Sequence, residues 1–232
     1  MAVKPQLACF ERLGAPGWRA LSATVAAARE AGLLVVADGK RGDVPVTAAA
    51  YGQALVGSTP TPWGGVAGLG ADAFTANPLL GGDALDALVD AALAASAGVF
   101  TLVRTSNPGA ADVLDVAAPD APLHERLAAL VAQRSGRLAG TAAGKGISGM
   151  GAVAGATEPR FLARLRELMP EAVFLVPGVG AQGGSPAELG PAFSSHPASA
   201  LVTASRSIAG APDPREAAER LRDEVAAVAP TS

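Results

Sequence analysis

The sequence predicts an α/β fold, a (β/α)8 barrel of the TIM type, in one domain that spans residues 1–232. The length suits a single barrel, and half of the residues are hydrophobic, so the chain can bury a large core. Short apolar runs alternate with longer helical stretches, and no change of composition marks a domain boundary. Such alternation is typical of a parallel sheet covered by helices, and many units without a break favour a barrel over an open sheet.

The predicted strands are short apolar runs, as expected for strands that are buried on both faces. Seven runs have this character: residues 2–3, 33–37, 73–75, 99–103, 152–153, 173–176 and 200–203. A complete barrel of this type has eight strands. Because the first run lies at the start of the sequence, we expect that the initial strand–helix unit is missing from this chain.

Helical patterns lie between the strands, in residues 18–31, 84–95, 122–134, 159–168 and 214–228. Several of them open with proline in the first turn, where the missing N–H of proline costs no hydrogen bond. Three segments rich in glycine and proline separate these elements, in residues 57–70, 107–122 and 136–149. They are predicted to be loops at one end of the barrel.

Composition excludes several classes of function. The net charge is −3 and no run of Lys and Arg occurs, which argues against a nucleic-acid or anionic-membrane partner. No apolar run approaches the roughly 20 residues that cross a bilayer. The single cysteine, Cys9, precludes an intramolecular disulfide, and His124 and His196 lie too far apart in the sequence to suggest a metal site. We therefore expect a cytoplasmic protein without a bound metal.

Lysine is scarce in this sequence. There are only three lysines, Lys4, Lys40 and Lys145, whereas all other basic residues are arginine. Since arginine meets the general need for surface charge, a lysine here is more often present for its compact ammonium group, which can donate a proton. Lys145 lacks the downstream residues of a phosphate-binding P-loop.

Charged residues follow the apolar run 33–37 in the stretch Asp38-Gly39-Lys40-Arg41-Gly42-Asp43. Residues i and i+2 of a strand point to the same side, so Asp38 and Lys40 should face the barrel mouth together. Asp43 falls in the turn before a helix that starts near Val46. Catalytic groups of barrels lie at the carboxyl ends of strands, and a lysine between two carboxylates should stay charged as a positioned acid. The alternative is a structural ion pair.

Two later strand ends carry groups that suit an anion. The glycine-rich stretch 177–184 includes Gly180 and Gly183, whose amides could converge on a phosphate, and Gln182 adds side-chain donors. Arg206 follows the next strand and could contact a phosphate through two N–H groups. The alternative for the glycine-rich stretch is a flexible turn. For Ser106, in Ser106-Asn107-Pro108-Gly109, spacing alone favours an ordinary turn.

Taken together, these motifs resemble those of the orotidine 5'-phosphate decarboxylase family. The matching segments, in the family's order, are Val3-Lys4-Pro5-Gln6, Asp38-x-Lys40-x-x-Asp43 with Thr47, residues 106–109, residues 177–184 and Arg206-Ser207-Ile208. The lysine motif near the N-terminus is most similar to that of the longer bacterial subgroup. The resemblance covers nearly the whole chain.

The resemblance implies a homodimer of barrels that converts orotidine 5'-monophosphate to UMP and carbon dioxide without cofactor or metal. Lys40 would protonate C6 of the pyrimidine, and Lys4, Asp38 and Asp43 would complete an alternating charge array. Asp43 and Thr47 would reach into the neighbouring subunit's site.

Binding roles follow in the same way. By resemblance, Ser106 would contact the pyrimidine, while Gln182 and Arg206 would hold the 5'-phosphate beside the loop of Gly180 and Gly183. Family members also carry a first strand with a substrate-contacting aspartate. The sequence begins after that strand, and if no strand precedes it we expect impaired ribose binding.

Two alternatives stay open at the level of sequence. One is a metal-dependent sugar-phosphate decarboxylase or aldolase of the same suprafamily, which shares the Asp-x-Lys-x-x-Asp motif. The other is an inactive barrel that only binds a phosphate ligand.

Overall fold

The computed structural model describes residues 2–140, 146–180, 182–194 and 196–230, so Lys145 and Ala181 lie outside the described residues. The chain divides into two compact units, Met1–Thr101 and Leu102–Ser232. Each unit is built from parallel strands alternating with helices. The single domain predicted for residues 1–232 stays a prediction.

The first unit carries four parallel strands in the order β1-β2-β5-β6, and the last three residues of β6 belong to the second unit. Its elements are β1 (Ala2–Val3), α1 (Leu7–Glu11), α2 (Gly14–Glu30), β2 (Leu34–Arg41), α3 (Pro45–Leu55), β3 (Ser58–Thr61), β4 (Gly64–Ala67), β5 (Ala73–Ala76), α4 (Gly82–Ala94) and β6 (Gly98–Arg104). Val35, Phe74 and Val89 are completely buried in its core.

The second unit pairs its strands in parallel in the order β7-β8-β9. Its elements are α5 (Ala111–Leu114), α6 (Leu123–Ala132), β7 (Ser148–Ala154), α7 (Pro159–Leu168), β8 (Ala172–Val176), β9 (Ala200–Val202), α8 (Arg206–Ala209) and α9 (Pro214–Ala226), with short 3-10 turns between them. In α7, Leu162 and Leu165 are fully buried and form the apolar face of the helix.

All seven predicted strands and all five predicted helical stretches are present. The predicted loop 57–70 is different, because it contains an antiparallel hairpin of β3 and β4. The hairpin residues are mostly exposed, and Trp63 between the two strands is 93% exposed. Without a buried face the segment has no apolar periodicity, so its strands leave no signal in the sequence. Among the described helices, none is long and apolar enough to span a bilayer.

Helices α3 and α4 approach closely at Gly52. An added Cβ at this position would lie 2.4 Å from the Cβ of Ala91 on α4. Gly52 is itself buried. The contact therefore depends on a residue without a side chain, although glycine is a poor helix former.

Replacement of Gly52 by alanine should destabilise the protein. Overpacking costs on the order of 1–3 kcal/mol, which outweighs the roughly 1 kcal/mol that alanine contributes through helix propensity. Urea unfolding measures the change. The control is Gly65→Ala in β4, where an added Cβ meets nothing within 4 Å and stability should hold. A Gly52→Ala variant as stable as the wild type would contradict this packing.

Candidate active site

A buried carboxylate, that of Asp38, lies at the centre of a charge cluster in the first unit. Asp38 is 4% exposed, and each of its two oxygens accepts two hydrogen bonds. Oδ1 accepts from Lys40 Nζ at 2.6 Å and from Thr75 Oγ1 at 3.0 Å. Oδ2 accepts from Lys4 Nζ and, at 3.3 Å, from Gln6 Nε2. The charge is thus matched by two ammonium groups and its lone pairs are satisfied.

Strand pairing brings Lys4 to this carboxylate. Strand β1 pairs in parallel with the start of β2, and the chain that follows β1 continues beside it. The Asp38 amide donates to Pro5 O at 3.0 Å, and Gln6 forms an isolated bridge with Asp38. Lys4 and Gln6 therefore present their side chains to Asp38 from the neighbouring segment of chain.

The second lysine reaches Asp38 through an irregularity in β2. Ala37 pairs with Phe74 and Arg41 pairs with Ala76, so four steps along β2 match only two along β5. Within this bulge, Lys40 has a φ of +49°, which is rare for a residue other than glycine. The predicted meeting of the Asp38 and Lys40 side chains is found in the structure. Bulges of this kind commonly re-aim a side chain near active sites.

The electrostatics of the cluster favour an ionised Asp38. Burial by itself raises the pKa of the Asp38 carboxyl, but hydrogen bonds from Lys4 and Lys40 and their positive charges outweigh burial and lower the pKa below its usual value. The Asp38 side chain is 6% exposed, whereas that of Lys40 is 41% exposed. Lys40 is therefore a fixed ammonium group that a ligand can reach, and its counter-ion is shielded from water.

Asp43 lies outside this cluster. Its Oδ1 accepts a hydrogen bond from the amide of Val44 at 2.7 Å, and among the described residues it forms no ion pair. Thr47, in the first turn of α3, is half-buried. The turn that carries Asp43 is held tightly, because a Cβ at Gly42 would lie 2.4 Å from the carbonyl oxygen of Asn77.

In the second unit, Ser106 and Gln182 lie together. Ser106 Oγ donates to Gln182 Oε1 at 2.8 Å, and Thr157 Oγ1 donates to the carbonyl oxygen of Ser106 at 3.0 Å. All three line a cavity of about 340 Å³, together with Arg104, Asn107, Pro108, Ala111 and Glu158. Ser106 thus lines this cavity, whereas the spacing of the sequence motif alone favoured an ordinary turn.

The glycine-rich stretch after β8 is an internally bonded loop. The Gly180 amide donates to Gly184 O at 3.1 Å, and the Gly183 amide donates to Gly180 O at 2.8 Å. These two amides are expected to face an anion, yet in this conformation they hold the loop together. Arg206 is exposed at the start of α8 and, within the described part of the chain, forms no ion pair. Gln182 is also exposed, and its side chain accepts from Ser106 through Oε1, which leaves its amide nitrogen to donate.

An ion pair between the buried Arg104 and the half-buried Asp115 lies close to Ser106 in the chain and was missed by sequence reasoning. Arg104 is 5% exposed, and its Nε and Nη2 donate to the two oxygens of Asp115 at 2.8 and 3.0 Å. Its Nη1 donates to Thr105 O at 2.7 Å, next to Ser106. The hydrogen bonds and charge of Arg104 lower the pKa of Asp115, against burial. The sequence does contain a signal for this ion pair, because an arginine directly follows the apolar run 99–103 and a buried arginine needs a partner.

The described residues contain no group of three or more His, Cys, Asp or Glu side chains that could hold a metal ion. In the charge cluster, both Asp38 oxygens already accept from ammonium groups. The arrangement can stabilise negative charge that develops near Lys40 and can deliver a proton there.

The fold of this chain is similar to that of solved decarboxylase structures. The chain is 36% identical to a putative orotidine 5'-phosphate decarboxylase from Streptomyces avermitilis, with a TM-score of 0.79 over 97% of this chain and 75% of that one. This likeness confirms the predicted α/β fold class of the TIM barrel type.

Sequence comparison then gives the family. The chain is 44% identical over 228 residues to orotidine 5'-phosphate decarboxylase of Deinococcus radiodurans, covering 96% of this chain and 78% of the relative. It is 41% identical over 210 residues to that of Rhodopirellula baltica, covering 89% of this chain and 66% of the relative. The family model for orotidine 5'-phosphate decarboxylase / HUMPS proteins matches residues 1–221, and the chain belongs to this family.

The lowered pKa of Asp38 predicts how its contribution to stability depends on pH. The carboxylate stabilises the folded state fully above its unfolded pKa of about 3.9, and that contribution is lost as the pH falls toward the folded value. Compared with Asp38→Asn, the wild type should therefore lose up to about 1 kcal/mol between about pH 7 and about pH 3, where the unfolded carboxyl becomes protonated before the folded one. Urea unfolding of both proteins at each pH measures this difference. If the difference in unfolding free energy between the two proteins is the same at both pH values, the pKa of Asp38 is not lowered in the folded protein.

Proposed function

We propose that the chain decarboxylates orotidine 5'-monophosphate to UMP and carbon dioxide, with Lys40 as the proton donor to C6 of the pyrimidine. The observation that carries the proposal is the reachable Lys40 ammonium held by the buried carboxylate of Asp38. Membership of the family and relatives named for this activity support the same substrate.

The proposed reaction uses the cluster in the following way. The bond between C6 and the carboxylate carbon breaks, carbon dioxide leaves, and the electron pair stays at C6. The Lys40 ammonium stabilises this developing negative charge because it is already fixed and need not reorganise. Its proton then moves to C6, and the neutral amine recovers a proton from solvent. Lys4 keeps the Asp38 carboxylate paired while Lys40 is neutral.

Substrate binding is assigned to polar side chains of the second unit. We assign the pyrimidine to Ser106 and the 5'-phosphate to Gln182 and Arg206. Gly180 and Gly183 contribute by fixing the loop that carries Gln182. Phosphate contacts remote from C6 can supply binding energy for the chemical step.

Asp43 and Thr47 are proposed to act in a second copy of the chain, within a cytoplasmic homodimer. Asp43 forms no ion pair among the described residues, so its charge is available to another subunit. Val44 and Val46, which flank the same turn, are 56% and 85% exposed. Large exposed apolar patches mark interaction sites, and we infer that Val44 and Val46 belong to one.

Decarboxylation by this chain should be visible as a change in pyrimidine absorbance, and it should persist in EDTA. Lys40→Arg should lower kcat by at least about 100-fold, because arginine keeps the charge but does not give up a proton. UMP affinity and the far-UV circular dichroism spectrum serve as controls and should change little.

The outcomes separate the alternatives. Loss of activity in EDTA would favour a metal-dependent relative of the same suprafamily. Tight binding of UMP by a wild-type chain without turnover would identify a barrel that only binds its ligand.

The shared site can be tested by mixing two inactive variants, Lys40→Ala and Asp43→Ala. After subunit exchange, a mixed dimer contains one intact site, so equal amounts should recover roughly a quarter of the wild-type activity. Each variant alone should stay inactive. Exchange is verified with differently labelled chains, and no recovery after exchange would place Asp43 in its own subunit's site.

A further inference from the structure

Thr75 is a buried polar residue to which the proposed mechanism assigns no role. It lies in β5, is completely buried, and forms hydrogen bonds with both members of the Asp38–Lys40 pair. We propose that Thr75 is a positioning residue that fixes the backbone and the counter-ion of Lys40. The inference rests on the proposed function, because it concerns how Lys40 is held for the reaction.

The first contact compensates for the irregular pairing of β2. In a regular parallel ladder, strand amides donate to carbonyl groups of the neighbouring strand. At the bulge the Lys40 amide donates instead to Thr75 Oγ1 at 2.8 Å. The hydroxyl thereby takes the place of a backbone acceptor at the point where the ladder is interrupted.

The same contact maintains an unfavourable conformation. Lys40 has a φ of +49°, where a residue with a Cβ is disfavoured and persists only if its surroundings hold it. The backbone of Lys40 determines where its side chain begins. The hydrogen bond to Thr75 therefore helps to determine where the ammonium group lies.

The second contact acts on the counter-ion. Thr75 Oγ1 donates to Asp38 Oδ1 at 3.0 Å, and that oxygen also accepts from Lys40 Nζ at 2.6 Å. One hydroxyl both accepts and donates, which valine of the same shape cannot do. Loss of the hydroxyl would leave the Lys40 amide unpaired and would remove one of the donors that fix Asp38.

The neighbouring strand β6 provides a matched control. Thr101 is also completely buried, but among the described residues its hydroxyl has no hydrogen-bond partner. Thr101 pairs with Ala76 whereas Thr75 pairs with Phe100, so the two threonines point to opposite faces of the sheet. Thr101→Val repeats the chemical change of Thr75→Val without touching Asp38 or Lys40.

The test compares kcat, KM and UMP affinity in Thr75→Val, Thr75→Ser and Thr101→Val. Thr75→Val should lower kcat by roughly 10- to 100-fold, the usual effect of a small misplacement of a reacting group. KM and the dissociation constant of UMP should stay within about threefold, because Thr75 acts on Lys40 rather than on binding. Thr75→Ser should restore most of kcat, and Thr101→Val should match the wild type.

A second pair of variants tests the inference even if Thr75→Val does not fold. Thr75→Ser and Thr75→Ala differ only by the hydroxyl, and circular dichroism reports whether each folds. If Thr75→Val does not fold, kcat should still be lower in the alanine variant than in the serine variant.

Three results would overturn the inference. They are a wild-type kcat in Thr75→Val, equal values of kcat in the serine and alanine variants, or a change confined to KM. In each case the wild type would still decarboxylate, so the proposed function would stand. A wild-type chain without turnover would instead overturn the proposed function and this inference with it.

Discussion

The charge cluster depends on the burial of the Asp38 carboxylate, since a buried charge is tolerated only when it is paired and hydrogen-bonded. Four donors satisfy Asp38, and they come from three features of the first unit. The chain after β1 brings Lys4 and Gln6, the bulge in β2 turns Lys40 back toward Asp38, and β5 contributes Thr75. Removal of any one of these features would leave a buried charge partly uncompensated. The same burial keeps the carboxylate away from water while the Lys40 ammonium stays reachable.

The two units carry different kinds of polar groups. In the first unit, the buried carboxylate of Asp38 fixes the ammonium groups of Lys4 and Lys40. Such a cluster suits an ammonium group that must act at one position. The second unit offers an exposed arginine, Arg206, and the hydrogen-bonded pair of Ser106 and Gln182 at a cavity. Close to Ser106 in the chain, the ion pair of Arg104 and Asp115 binds the adjacent backbone. Both arrangements use strand ends as rigid supports, which precise sites require.

The strands could be predicted, because uniform apolar runs are a local pattern. The contact between Asp38 and Lys40 was predicted from the side-chain alternation of a strand, whereas the structure makes it through a bulge with a positive φ at Lys40. The features that were missed leave no local pattern in the sequence. The hydrogen bond from the Lys40 amide to Thr75 follows from a bulge that shifts the register by two residues, and no local pattern encodes that shift. The partner of Arg104 lies in a later helix–loop segment, and the amides of Gly180 and Gly183 bond within their loop. The β3–β4 hairpin lacks a buried face, so its strands show no alternation.

Membership of the orotidine 5'-phosphate decarboxylase family and the geometry around Asp38 lead to one central proposal, that the buried carboxylate holds Lys40 at the reacting carbon. A crystal structure of this chain with UMP bound tests the claim most directly. The account predicts that Lys40 Nζ lies about 3–3.5 Å from C6 of the pyrimidine, still bonded to Asp38 and with the Lys40 φ still positive. A pyrimidine bound away from Lys40, or a Lys40 side chain turned away from Asp38 in the complex, would contradict it.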